Sequence, residues 1–326
     1  MQVLITGGAG YIGSHLVTYL EGFGVDCYVV DNLSRGRIER LSPKTIFEQI
    51  DLCDNTSLRK FMMNHSFDAI FHLAGYMQAR ESTKHPSLYL RNNVESTRSL
   101  IQSISHPERT KVIFGSSCSV YGNNDLAMEV SPYKPLSIYA ETKVQSEIEL
   151  TEFFKASPQN LTIFRFFNVV GCLDRSLFCD IQTETILPSS ARKIIDGEKP
   201  LIFGGNFTTV DGFAIRDFID VRDLVIALSL PLDKQLSGVH NLSSNQPMSI
   251  KTLVELLLEI SNNKELGFEV GVANSADPST IRSLTSTKVR DLLWSPYFSI
   301  RESVENFWNV FSDYYQNKGM LNNRTS

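Results

Sequence analysis

The chain has 326 residues, enough for two domains or for one large α/β domain with an appended lobe. Its composition is ordinary for a globular protein, with 42% hydrophobic and 21% charged residues. A formal charge of -5 and a pI near 5.7, with Lys and His spread along the chain, exclude a protein that coats nucleic acid or an acidic membrane surface.

Apolar, β-branched runs at 2–5 (QVLI), 27–31 (CYVVD), 46–52 (IFEQIDL), 69–74 (AIFHLA), 111–117 (KVIFGSS) and 161–167 (LTIFRFF) predict strands. Amphipathic stretches near 12–23, 55–63, 86–105 and 137–156 predict the helices between them. Strand–helix–strand units in series imply an α/β fold, a Rossmann-type doubly wound parallel sheet with helices on both faces, over residues 1–168. Beyond 168 the rhythm loosens into short strands at 201–204, 239–244 and 268–273 and helices near 186–196, 249–261 and 299–315. Residues 169–326 therefore predict a smaller mixed α/β lobe, mainly for substrate, some of whose strands can return to the first domain. No Pro/Gly/Ser-rich linker divides the two, so they form one body with a cleft.

No apolar stretch reaches the length of a membrane span, and QVLI starts a strand at once, leaving no room for a signal peptide. Five cysteines (Cys27, Cys53, Cys118, Cys172 and Cys179) form no C-x-x-C and fall at no metal-ligand spacing with His. Reduced thiols, a cytoplasmic location and no metal site are the expectation.

Chemistry enters at the first strand–helix junction. In VLITGGAGYIGSHL, Gly8, Gly10 and Gly13 satisfy G-x-G-x-x-G, and Gly7, Gly10 and Gly13 also fit G-x-x-G-x-x-G. Glycines there permit a tight turn and let the N–H groups of a helix N-terminus approach a pyrophosphate. Asp31 ends the second strand, where a carboxylate accepts hydrogen bonds from an adenosine ribose and repels a 2′-phosphate. NAD is thus favoured over NADP, although Arg35 and Arg37 lie close enough downstream to receive such a phosphate. Asp51, at the next strand end, is placed to cap an adenine pocket or to serve as a plain turn carboxylate.

SIYAETKVQSE (137–147) sets Tyr139 and Lys143 four apart, on one helix face. A tyrosine is a poor base at neutral pH. An ammonium one turn away, with the positive nicotinamide of an oxidised cofactor, favours the phenolate.

Together with these motifs, FHLAG (71–75), ESTKHPSLYLRNNVEST (81–97), GSSCSVYG (115–122), RFFNVVG (165–171), FGGN (203–206) and DGFAIRDFIDVRDL (211–224) follow one another in a familiar order. The chain resembles the extended short-chain dehydrogenases/reductases, specifically the NAD-dependent epimerase/dehydratase family and its UDP-glucose 4-epimerase branch. The resemblance implies NAD as cofactor, a nucleotide-sugar (a UDP-hexose or UDP-N-acetylhexosamine) as substrate, and a homodimer. It implies that Tyr139 takes the proton of the sugar 4-hydroxyl, that Ser117 bonds the same oxygen, and that Lys143 binds the nicotinamide ribose and tunes Tyr139. The implied dinucleotide site is Gly7, Gly10, Tyr11, Ile12, Gly13, Asp31, Asn32, Ser34, Arg35, Asp51, Leu52, Leu73, Ala74, Gly75, Asn92, Ser116, Tyr139, Lys143 and Phe167. Asn168, Phe203, Arg216 and Asp277, with Ser117, would hold the substrate.

Four positions depart from the family's pattern: Met77 stands where the epimerases carry a lysine, Val169 replaces a proline, Thr185 an asparagine and Asn274 an arginine. The strand end separates reaction types. Related 4,6-dehydratases must also remove a C5 proton and expel the 6-hydroxyl, and carry an Asp-Glu pair for it where this chain has Cys118 and Ser119. A 4-epimerase needs no such pair, so GSSCSVYG favours epimerisation. A dehydratase, a reductase or decarboxylase of the same superfamily, and a non-catalytic NAD-binding regulator stay open. Apolar residues on more than one stripe of 86–105 (Leu88, Leu90, Val94, Leu100, Ile101, Ile104) and of 137–156 (Val144, Ile148, Leu150, Phe153, Phe154) suit a four-helix dimer interface.

Overall fold

In the computed structural model, residues 1–177, 185–273, 278–283, 287–292 and 294–322 are described. The seven strands of the main sheet are numbered β1 (Gln2–Thr6), β2 (Asp26–Asp31), β3 (Ile46–Gln49), β4 (Ala69–His72), β5 (Lys111–Ser117), β6 (Leu161–Phe166) and β7 (Gly238–Leu242). Val3 and Ile5 point to one face of β1 and Leu4 to the other, and all three are fully buried. Such a strand is stable only with helices on both sides. On the first face the helices Tyr11–Gly22 and Val221–Asp233 bring Leu16, Leu20, Leu224 and Leu228 into one cluster with Val3, Ile5, Phe71 and Ile113. On the second, Asn55–Met63, Ser96–Ser103 and Ile138–Phe153 supply Leu58, Phe61, Leu100 and Leu150 against Leu4, Ile70, Val112 and Phe114.

All six pairings in this sheet are parallel, in the order β3-β2-β1-β4-β5-β6-β7. This is the Rossmann-type doubly wound arrangement that the strand spacing predicts. The order reverses between β1 and β4, the switch point where a crevice opens beyond the strand ends.

The C-terminal half adds its own core. Leu187, Ala191, Ile194, Leu253, Leu257, Val304, Phe307 and Phe311 pack together from the helices Ile186–Ile195, Ile250–Ile260 and Ile300–Asn322. Three small sheets accompany it, and the largest takes in a strand from the N-terminal half. One pairs Phe218–Asp220 with Asn168–Val170, another pairs Glu269–Gly271 with Leu201–Phe203, and the third has four strands including Ile215–Arg216 and Asn124–Ala127.

The run 239–244 returns to the first domain, as allowed for strands of the C-terminal lobe: Gly238–Leu242 is β7 and pairs with β6. The helix expected over 86–105 runs without a gap from Pro86 to Ser103, but its middle is wound as a π turn at Leu90–Glu95 between Pro86–Tyr89 and Ser96–Ser103. Ser96, Thr97, Ser99 and Ser103 each donate a hydroxyl proton to the carbonyl four residues back, which competes with the regular ladder. The sequence predicts no element over Val221–Asp233, where the apolar Ile226 interrupts the solvent-facing stripe of Arg222, Ser229 and Asp233 and Pro231 lies inside the run.

Leu224 is fully buried between the helices Val221–Asp233 and Tyr11–Gly22. Leu224→Ala is expected to lower unfolding stability by about 2–5 kcal/mol. A urea unfolding curve superposable on wild type would refute this packing.

Candidate active site

Residues just past the ends of β1, β2, β4, β5 and β6 line one cleft of about 710 Å³. Gly7, in the left-handed region at φ +72°, turns the chain out of β1; a Cβ there would lie 2.7 Å from the Ala74 backbone. A Cβ on Gly13 would come within 2.3 Å of the Gly7 carbonyl oxygen. Gly10 is the N-cap of Tyr11–Gly22 and contributes no side-chain cap, so the first N–H groups of this helix have no side-chain partner at the cleft. The site thus fits a pyrophosphate: the backbone donors face it and no side chain blocks them. Tyr11 donates its hydroxyl to the Gly171 carbonyl at 2.6 Å, and burial raises its pKa well above the usual value.

At the end of β2, Asp31 accepts from the Leu33 N–H at 2.8 Å and the Ala9 N–H at 3.1 Å. Burial raises its pKa, with these two bonds and Arg40 opposing. Asn32 closes the turn by accepting from the Ser34 N–H at 3.0 Å. Arg35 does not stand free for a 2′-phosphate: it pairs with Glu81 at 2.5 Å and lies 4.7 Å from the centre of the Tyr76 ring. Asp51 pairs with Arg91 at 2.8 Å and accepts from the Cys53 N–H at 2.9 Å. Asn92, set by the π turn, donates to the Leu88 carbonyl at 2.8 Å and lines the cleft with Leu52, Leu73, Ala74, Gly75, Ser116 and Phe167.

The reactive side chains meet at the end of β5. Ser137 caps the helix Ile138–Phe153 by accepting from the Ala140 N–H at 3.2 Å, which fixes Tyr139 in the first turn. Ser117 accepts from the Ser119 hydroxyl at 2.9 Å. Burial pushes the Tyr139 phenol up to about 12, with the nearby Ser117 hydroxyl opposing. Lys143 is buried, donates to the Gly115 carbonyl at 2.8 Å and sits 4.9 Å from the centre of the Phe114 ring. Burial lowers its pKa to about 8, with Glu147 opposing. Cys118 is buried, and its thiol is pushed up to about 12. It is a protonated, inert group at neutral pH.

The substrate residues are only partly assembled. Asn168 and Arg216 line the cleft, the Arg216 guanidinium donating to the carbonyls of Ile215 at 2.9 Å and Pro278 at 2.7 Å. Phe203 does not line it; the Arg80 guanidinium covers its ring at 3.9 Å. Asp277 lies outside the described residues, as do Asn274 and Cys179. Met77, Val169 and Thr185, three of the departures from the family pattern, do line the cleft. Sequence reasoning missed Tyr89, whose hydroxyl donates to Glu81 at 2.8 Å and whose ring stands edge-on to Tyr139 at 6.5 Å. It sits in an acid–aromatic cluster that no local spacing announces.

A glycine turn at a topological switch point, with a Tyr–Lys helix across the cleft, defines a dinucleotide-binding α/β enzyme. Sequence comparison agrees, since residues 3–245 match the NAD dependent epimerase/dehydratase family. A UDP-glucose 4-epimerase of Lactobacillus helveticus is 34% identical over 306 residues, covering 91% of this chain and 92% of the relative. Among solved structures, a UDP-glucose 4-epimerase superposes with a TM-score of 0.87 at 32% identity, covering 96% of this chain and 98% of that one. The UDP-glucose 4-epimerase of Thermotoga maritima, solved with UDP-glucose, gives 0.85 at 27% identity, covering 97% and 100%. The chain belongs to the NAD dependent epimerase/dehydratase family.

Because Asp31 lines the cleft at the end of β2, where a carboxylate repels a 2′-phosphate, and Arg35 is engaged by Glu81, the purified protein should release NAD(H), not NADP(H), on denaturation. Mass spectrometry of the supernatant checks this. A predominance of NADP(H) would show that Arg35 or Arg37 governs the choice.

Proposed function

We propose that the protein is an isomerase that interconverts the C4 epimers of a UDP-hexose or UDP-N-acetylhexosamine through a transient 4-keto sugar, using tightly held NAD. One observation favours this over dehydration. The three side chains after Gly115 and Ser116 are a serine hydroxyl, a buried thiol held protonated and a second serine that donates to the first. None is the acid or base that removing a C5 proton demands.

Bound NAD supplies the reversible two-electron oxidation of C4. Gly7, Gly10, Tyr11, Ile12 and Gly13 would hold its pyrophosphate, and Asp31 its adenosine ribose. Lys143 would hold the nicotinamide ribose. Ser117 positions the sugar 4-oxygen beside Tyr139, which accepts its proton and later returns it. A phenol near 12 is a proton donor in the free protein, so Tyr139 becomes a base only when positive charge is brought close to it. Asn168 and Arg216 would take the nucleotide diphosphate, Arg216 by charge-assisted bonds. Phe203 and Asp277 belong to the same proposed set, and Phe203 could serve only after Arg80 leaves its ring. Residues 1–168 carry the dinucleotide half of this scheme and 169–326 mainly the substrate half.

We also propose a homodimer in the cytoplasm. Leu88, Leu90 and Ile148 are exposed on the helices expected to pair, next to the Arg98–Glu149 ion pair at 2.6 Å. No described helix is long and apolar enough to cross a membrane. Light scattering at micromolar concentration should give twice the chain mass; a monomer would reject the interface.

Given a UDP-hexose, or failing that a UDP-N-acetylhexosamine, the protein should equilibrate the C4 epimers without added cofactor. In deuterated water the product should carry no solvent deuterium on carbon, whereas deuterium at C5 or loss of one water would establish dehydration chemistry. Tyr139→Phe should cut turnover by about 10²–10⁴-fold with cofactor retained. Near wild-type turnover of that variant would remove Tyr139 from the base role.

A further inference from the structure

Four residues beyond Lys143, on the same helix, Glu147 is completely buried. Its carboxylate accepts from Arg165 on β6 at 2.6 and 3.0 Å, from the Tyr133 hydroxyl at 2.8 Å, and from the Ser116 hydroxyl in a very short bond. Arg165, itself buried, continues the network to the Tyr121 hydroxyl at 2.7 Å and the Glu129 carbonyl at 3.1 Å. Tyr121 in turn donates to Asn241 on β7 at 2.7 Å. One carboxylate thereby ties together the reactive helix, the end of β5, the neighbouring strand and the 118–136 loop that follows Ser117.

We propose that Glu147, one helical turn along from Lys143, is a positioning residue for the reaction: through its bond from Ser116 it sets the place of Ser117 at the strand end. A purely structural ion pair would not need both attachments. Burying two charges costs several kcal/mol each, and an apolar pair of the same volume is often as stable. Here the carboxylate is spent on the residue next to Ser117 and lies one helical turn from Lys143. Around Lys143 and Glu147 stand His72 on β4, Ser116 on β5, Arg165 on β6, Tyr139 on the same helix, and Tyr121 and Tyr133 from the 118–136 segment. His72 is buried neutral, its pKa lowered to about 3 first by burial and then by Lys143. Glu147 is the influence that raises the Lys143 pKa against burial.

The sign follows. A raised lysine pKa extends the ammonium to higher pH, so removing the Glu147 charge must bring its loss to lower pH. This inference rests on the roles given above to Ser117, Tyr139 and Lys143. Glu147→Gln keeps the volume, removes the charge and turns one of the two acceptor oxygens that serve Arg165, Tyr133 and Ser116 into a donor. It is expected to lower kcat about 10–100-fold with KM within about twofold. The alkaline limb of kcat/KM should move about 0.5–1 unit toward acid. Glu147→Asp, which keeps the charge, should restore the limb. The pH at which bound NAD(H) is released should move the same way, a readout that does not depend on epimerisation. Ser116→Ala removes the tie and keeps the charge, so it should lose turnover with the limb in place.

Thermal melts establish that each variant is folded. A folded Glu147→Gln with the wild-type profile, or with uniform loss and unmoved pH limbs in both turnover and cofactor release, would overturn the proposal. Wild-type kcat in Ser116→Ala would do so as well, whether or not Glu147→Gln folds. If the wild type releases cofactor as expected but does not epimerise, the proposed function falls, while the release profile still decides the role of Glu147.

Discussion

Every strand of the main sheet runs the same way, and this one constraint organises the molecule. Buried backbone N–H and C=O groups must pair, so the register between β1, β4, β5 and β6 cannot slip without exposing unsatisfied polar groups. Their carboxyl ends therefore stop along one edge. Gly7, Leu73, Ser117 and Phe167, each separated from the next by tens of residues, become neighbours because their strands end there. The helix N-termini arrive at the same edge, since each crossover starts where a strand has just finished. Two glycines without room for a Cβ then let the backbone approach a charged ligand where side chains would stand in the way.

Within that edge, burial sorts the ionisable groups by disfavouring their charged forms. The same cause lifts Tyr139 and Cys118 and lowers Lys143 and His72. The outcome differs because the compensation differs. Cys118 receives too little to ionise and stays a passive thiol. Tyr139 has the Ser117 hydroxyl nearby to oppose burial, and a cation one turn away. His72 is held neutral between Thr6 at 2.8 Å and Thr97 at 2.9 Å. The chemistry open to the site is thus decided as much by which groups are silenced as by which are present.

How much of this could be read beforehand depended on the range of the interaction. The glycine turn, Asp31 and the Tyr139–Lys143 pair are local patterns, set by a turn, a strand end and a helical repeat, and they were legible. So was the alternation that gives the parallel sheet. The π turn at Leu90–Glu95 was not, because four hydroxyls bonding back to the helix look like ordinary polar residues in the sequence. The helix Val221–Asp233 was hidden because an exposed Ile226 and an internal Pro231 blur the short stripe of Arg222, Ser229 and Asp233 that faces solvent. Arg80 over Phe203 and Arg35 on Glu81 join residues more than forty positions apart, and only the assembled cleft shows them. Glu147 was visible only as a third residue on the Tyr–Lys face, with nothing to say that Arg165 waited on β6.

The placement of β7 bears on how the chain reaches this state. Gly238–Leu242 covers the open side of β6, supplied from more than seventy residues downstream. Non-local parallel pairing of this kind raises contact order and slows folding. During synthesis the first six strands emerge well before the seventh, so Leu161–Phe166 is for a time a bare edge of buried-type residues, open to pairing with another chain. Cooperative closure, and with it protection from misassembly, has to wait until residue 242 has left the ribosome.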